Sequence, residues 1–155
     1  MTLVSPPFHI GMVVPELAVA MEEVGEALRV TWGRVQRRTL NMQTPDGSAP
    51  FDVAYAYSLT GPPYLEVIEQ CPGSVFEKVG LHHIGVWTDH PAGESVRLDS
   101  MGWPRETVII GPDGAWGGGL FHIGAAGLRV ELIDIAKSGP RLVNYLGGGD
   151  YALPR

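Results

Sequence analysis

The chain has 155 residues, 45% hydrophobic and 18% charged, a balance that suits one compact domain and excludes both a disordered segment and two full-sized domains. Eleven basic against 17 acidic side chains give a net charge of −6, so no nucleic acid is expected as a partner. The single cysteine, Cys71, cannot form an internal disulfide and points to a reducing cytoplasm, and no run resembles a leader or a membrane span.

Residues 8–14 form a short apolar run rich in β-branched side chains and closed by Pro15, the pattern of a buried strand. Pro15 opens a helix over 16–28, where Leu17, Ala20, Met21, Val24 and Leu28 recur at spacings of three and four and Glu22, Glu23 and Glu26 take the other face. Past Gly33, β-branched and basic residues through Leu40 predict a strand, and Pro45, Asp46, Gly47 and Pro50 predict a loop over 43–50. Strands over 51–59 and 64–69 flank a Thr-Gly-Pro-Pro turn, and 71–80 reads as a connector.

The second half repeats this order. A strand is predicted over 81–88, a weaker helix over 91–101, a strand over 105–110, a loop over 111–119, and a hairpin from 119–124 and 128–135. The halves, about 7–70 and 80–136, make one domain, followed by an extension over 137–155 with a short helix at 138–146 that the glycines at 147–149 end.

The repeat is also visible residue by residue. Phe8-His9-Ile10-Gly11 matches His82-His83-Ile84-Gly85, and Leu65-Glu66-Val67-Ile68 matches Val130-Glu131-Leu132-Ile133. The matched polar positions are His9, Glu66, His83 and Glu131, each interrupting an apolar strand. A lone strand histidine is more often a packed core residue, and a lone strand glutamate more often faces solvent. The symmetric set changes that balance, because carboxylates aimed into a core must be paired, protonated or metal-bound. Two imidazoles and two carboxylates suit Zn, Ni, Co, Mn or Fe(II) better than Mg or Ca, which prefer all-oxygen shells.

With HIG on the first strand of each half and Glu in the last, the chain resembles the vicinal oxygen chelate superfamily of lactoylglutathione lyases, methylmalonyl-CoA epimerases, bleomycin-resistance proteins and extradiol dioxygenases. The resemblance covers about residues 8–135. It implies an α+β fold of two tandem βαβββ modules forming a half-open barrel around a divalent transition metal, with His9, Glu66, His83 and Glu131 as ligands. It further implies a small-molecule substrate, a homodimer, and an isomerase, epimerase or lyase in which a carboxylate, Glu131 or Glu66, moves a proton beside a metal-bound carbonyl or thioester oxygen.

The segment 80–85 is especially similar to epimerase-like members, where the second histidine is the ligand; strict alternation then turns His82 to the opposite face. His122, Tyr55 and Trp116 are weaker candidates for substrate contacts, and Gly117, Gly118 and Gly119 read as a mobile rim beside the cavity. No basic set matches the one that holds glutathione carboxylates. An Fe(II)-dependent dioxygenase and a metal-free binding protein of the bleomycin-resistance kind remain the alternatives.

Overall fold

A computed structural model describes residues 6–146. Strand β1 (His9–Val14), helix α1 (Leu17–Leu28), and strands β2 (Gln36–Thr44), β3 (Gly47–Tyr57) and β4 (Tyr64–Glu69) form the first module. Strand β5 (Gly80–Thr88), helix α2 (Pro91–Ser100), and strands β6 (Arg105–Ile110), β7 (Trp116–Ile123) and β8 (Arg129–Asp134) form the second, and helix α3 (Ile135–Tyr145) follows. No described helix is long and apolar enough to cross a membrane.

The eight strands close into a barrel in the order β1-β4-β3-β2-β6-β7-β8-β5. Each module contributes the same four-strand sheet, with its first and last strands parallel neighbours. Two seams join the modules: an antiparallel β1–β5 ladder, and a short one in which Asn41, Met42 and Gln43 of β2 meet Ile110, Ile109 and Val108 of β6. The second seam closes the barrel that the sequence predicts as half-open.

Packing follows the repeat. Leu17 of α1 rests on Ala54, Ala56 and Val67 of the first sheet, and Leu98 of α2 rests on Val86, Val108, Leu120 and Leu132 of the second. Each helix therefore covers the outside of its own module. The largest cluster instead runs through the interior, from Phe8, Trp87 and Tyr57 to Phe76, Phe121 and Leu142.

Two predicted loops are strand. The 43–50 stretch is a tight hairpin turning at Pro45 and Asp46, with Asn41 opposite Pro50. Strand β4 pairs with β3 only over Tyr55–Tyr57, so Pro50 lies where β3 has a free edge and a residue without an N–H is tolerated. Gly117, Gly118 and Gly119, read from sequence as a rim, belong to β7. A side chain on Gly118 would overlap Ser138 Oγ of α3, so this glycine is where that helix docks on β7.

Helix α3 begins three residues earlier than its sequence signal, because Asp134 caps it by accepting hydrogen bonds from the N–H groups of Ala136 and Lys137. The predicted extension beyond 146 lies outside the described residues.

Candidate metal centre

The β1–β5 seam explains why histidine and glycine recur together. In its register His9 faces Gly85 and Gly11 faces His83, while the parallel ladders set Gly11 beside Glu66 and Gly85 beside Glu131. A methyl group on Gly85 would overlap the His9 ring, and one on Gly11 the His83 ring. Each module's glycine therefore makes the space that the other module's histidine fills, and four chelating side chains meet at the junction.

The meeting is close. His9 Nε2 and His83 Nε2 are 2.8 Å apart, His9 Nε2 lies 3.3 Å from Glu66 Oε2 and 3.1 Å from Glu131 Oε2, and His83 Nε2 lies 3.2 and 3.4 Å from the same two oxygens. Ligands at right angles about 2.1 Å from one ion stand about 3 Å apart, so the donors have the spacing of a shared first coordination shell. Both imidazoles are buried, Glu66 is buried and Glu131 half-buried. Two nitrogens at 2.8 Å leave room for one proton or one cation between them but not for two N–H groups. The residues thus fit a divalent cation, and His9, Glu66, His83 and Glu131 could hold one.

Beyond the four donors the modules differ. Between Gly11 and Met12 the β1–β5 register slips, pairing Gly11 with His83 and Met12 with Leu81, so His82 is the extra residue of a β-bulge. The bulge breaks the alternation that sequence reasoning relies on and brings His82 against His83 rather than turning it away. His82 Nε2–H donates to the Val75 carbonyl at 2.7 Å, and its Nδ1 lies 2.9 Å from His83 Nδ1. Burial, with His83 adding to it, lowers the His82 pKa to about 4, so the ring is neutral and its Nδ1 accepts from His83 Nδ1–H. His83 is thereby locked in the tautomer that aims the Nε2 lone pair at the cluster. The matching position in the first module is Phe8, and His9 Nδ1 is correspondingly left without a partner. The doubled histidine at 82–83, single at 9, was the sequence signal for this relay.

The remaining sequence candidates divide cleanly. Tyr55 and Trp116 line a cavity of about 800 Å³ that opens from Glu66 and Glu131, and Tyr57 joins them. Trp87 packs in the core against Phe8 instead. His122 does not reach the cavity: Phe121 is the residue paired with Glu131, so its neighbour points outward. There His122 bonds Ser95 Oγ of α2 at 2.9 Å and donates from Nδ1 to the Trp103 carbonyl at 2.7 Å.

The two carboxylates are held differently. Tyr57 stands opposite Glu66 in the β3–β4 ladder, and burial together with both glutamates pushes its phenol well above its ordinary value. Glu131 Oε1 instead lies over Gly119, in space that a side chain there would occupy.

The barrel of two βαβββ modules with its donors at the module junction defines a duplicated metal-cup fold. The chain belongs to the Glyoxalase/Bleomycin resistance protein/Dioxygenase superfamily, whose model matches residues 8–118. Similar solved structures include Mycobacterium tuberculosis methylmalonyl-CoA epimerase, 18% identical with a TM-score of 0.59, covering 86% of this chain and 90% of that one. A Streptomyces coelicolor methylmalonyl-CoA epimerase variant in complex with 2-nitronate-propionyl-CoA is 15% identical with a TM-score of 0.58, over 85% of this chain and 98% of that one. A hypothetical protein of Bacillus halodurans is 17% identical with a TM-score of 0.54, over 83% and 93%. No curated protein matches the chain.

Charge coupling sets the pH response. Burial opposes charge on His9, but Glu66 and Glu131 outweigh it and raise the pKa to about 9; His83 is raised by the same contest. Both glutamates are lowered, burial opposing and the two imidazoles prevailing. The raised His9 stabilises the metal-free fold below its ordinary 6.5 and stops doing so as pH climbs through about 9, His83 acts in the same direction, and the lowered glutamates contribute above 4.5. A metal needs neutral imidazoles and gains affinity over that same rise.

In EDTA-treated protein Tm is therefore expected to fall between pH 6.5 and 9, while the increase in Tm at one fixed Zn concentration grows over that range, to about 8 °C where that concentration is a hundredfold above Kd; a zinc shift independent of pH contradicts this. His82→Ala removes the acceptor that locks His83, and calorimetric titration should show divalent metal bound about 10- to 100-fold more weakly. Unchanged affinity contradicts the relay.

Proposed function

We propose that this protein is a metal-dependent isomerase or epimerase, with a lyase as the nearest variant, that moves a proton on the carbon next to a carbonyl or thioester oxygen of a small molecule. One observation carries the reading: two carboxylates and two imidazoles converge on one point at the inner end of a cavity of about 800 Å³. A divalent transition metal, Zn, Ni, Co, Mn or Fe(II), would supply positive charge to the oxygen on which negative charge develops. The superfamily and the epimerases among the similar structures support the same class of chemistry, and a cytoplasmic homodimer is the setting we propose for it.

The chain's own residues divide the work. His9, His83 and Glu66 form the fixed side of the site, His83 oriented by His82 and Glu66 flanked by Tyr57, its partner across the β3–β4 ladder. Glu131 is the better base, because the missing side chain at Gly119 gives its carboxylate room to swing toward a substrate carbon. Tyr57, Ile68, Phe121 and Ile133 wall the cavity and keep water from the transferred proton.

Proton transfer is read directly as deuterium uptake. With Co- or Zn-loaded protein in D2O, NMR across a panel of 2-oxo acids, 2-hydroxy aldehydes and acyl thioesters should show exchange at the carbon beside the carbonyl. Glu131→Gln should slow it about 100- to 10,000-fold. Exchange at the wild-type rate in Glu131→Gln removes Glu131 from the role, and no exchange under any metal removes the reading.

A further inference from the structure

The mouth of the cavity carries a charge that the metal centre does not explain. In a chain of net charge −6, three of the 11 basic residues, Arg38, Lys137 and Arg141, line this one cavity. Its acidic lining consists of Glu66 and Glu131, both committed to the donor cluster, and Asp113. With the cluster neutralised by a divalent cation, the rest of the lining carries an excess of positive charge. Among the described residues no carboxylate lies within ion-pair distance of Arg38, Lys137 or Arg141.

Arg141 is the placed member of the three. Helix α3 is fixed by the burial of Leu142 and by the Tyr145 hydroxyl, which accepts from Tyr57 N–H at 3.2 Å and donates to the Arg34 carbonyl at 2.6 Å. The Tyr145 ring fits because Gly33 has no side chain. From this helix Arg141 Nη1 donates to the Tyr55 hydroxyl at 3.3 Å. Tyr55 is buried in the cavity wall, so its hydroxyl accepts from the guanidinium and keeps its own proton to donate. The Tyr55 ring then packs edge-on against Tyr57, which stands opposite Glu66 in the β3–β4 ladder. Two aromatic rings thus separate a guanidinium–phenol donor pair from the donor cluster.

We propose that Arg141 and Tyr55 form an anion subsite that holds a carboxylate or other oxyanion at the end of the substrate remote from the metal, with Lys137 and Arg38 adding field. This rests on the proposed function and narrows it: the substrate is a carbonyl or thioester compound bearing a distal acidic group. A guanidinium paired with a second donor matches a carboxylate in geometry as well as charge.

The test is calorimetric titration with a graded series of dicarboxylates from malonate to adipate, the matching monocarboxylates, and inorganic phosphate, on zinc-loaded and metal-free protein. In the loaded protein one dicarboxylate length should bind at least about 10-fold more tightly than its monocarboxylate. Arg141→Ala and Tyr55→Phe should each lower that preference while zinc affinity is unchanged, and Arg37→Ala, outside the cavity, should leave it intact. If zinc does not bind, the metal reading fails by itself, and Arg141-dependent monocarboxylate or phosphate binding to metal-free protein still reads the subsite. Preference for phosphate over every carboxylate assigns the oxyanion as a phosphate. Equal binding of mono- and dicarboxylates together with no effect of Arg141→Ala in either form overturns the proposal.

Discussion

Four chelating side chains, three buried and one half-buried, with donor atoms close enough to share one ion are the constraint around which this molecule is built. Their like-charged carboxylates and crowded imidazole nitrogens repel unless a cation or a shared proton joins them. The fold meets that constraint by duplication: one module alone supplies a histidine and a glutamate, and only the antiparallel seam brings the second pair to the same point. Gly11 and Gly85 are as much part of the centre as the four donor side chains, because each leaves the volume that the opposite ring occupies.

Symmetry ends at the donors, and the departures from it give the site direction. The second module places His82 behind His83 where the first has Phe8, so one imidazole is oriented by hydrogen bonding and the other by packing. Tyr57 stands opposite Glu66 in the β3–β4 ladder, whereas Glu131 Oε1 lies over Gly119, in space that a side chain there would fill. Helix α3, which has no counterpart in the first half, covers one side of the cavity and brings Arg141 to its mouth. A cup that could be two-fold symmetric thereby acquires a fixed side, a mobile carboxylate and a cationic entrance.

Much of this was legible in the sequence because it rests on spacing. The matched HIG and Leu/Val-Glu motifs located the donors, and apolar periodicity located the first two helices and most strands. What was hidden rests on local geometry that residue type does not encode. A bulge at His82 reverses the expected facing of one side chain, and the β7–β8 register pairs Phe121 rather than His122 with Glu131, so ordinary alternation turns His122 outward. Three consecutive glycines read as a loop, since nothing in their composition reveals that α3 needs the space at Gly118 and Glu131 the space at Gly119. Arg141 lay in an extension that carried no repeat, so only its hydrogen bond to Tyr55 identified it.

The central claim is that the duplicated donors form one metal site. Elemental analysis of protein incubated with Zn, Ni, Co, Mn or Fe(II) and then desalted tests it most directly. The account predicts close to one ion per chain for at least one of these metals, and a large loss of that ion when His9 and His83 are both replaced by alanine in protein whose circular dichroism shows it still folded. Wild-type protein that retains none of the five metals contradicts it.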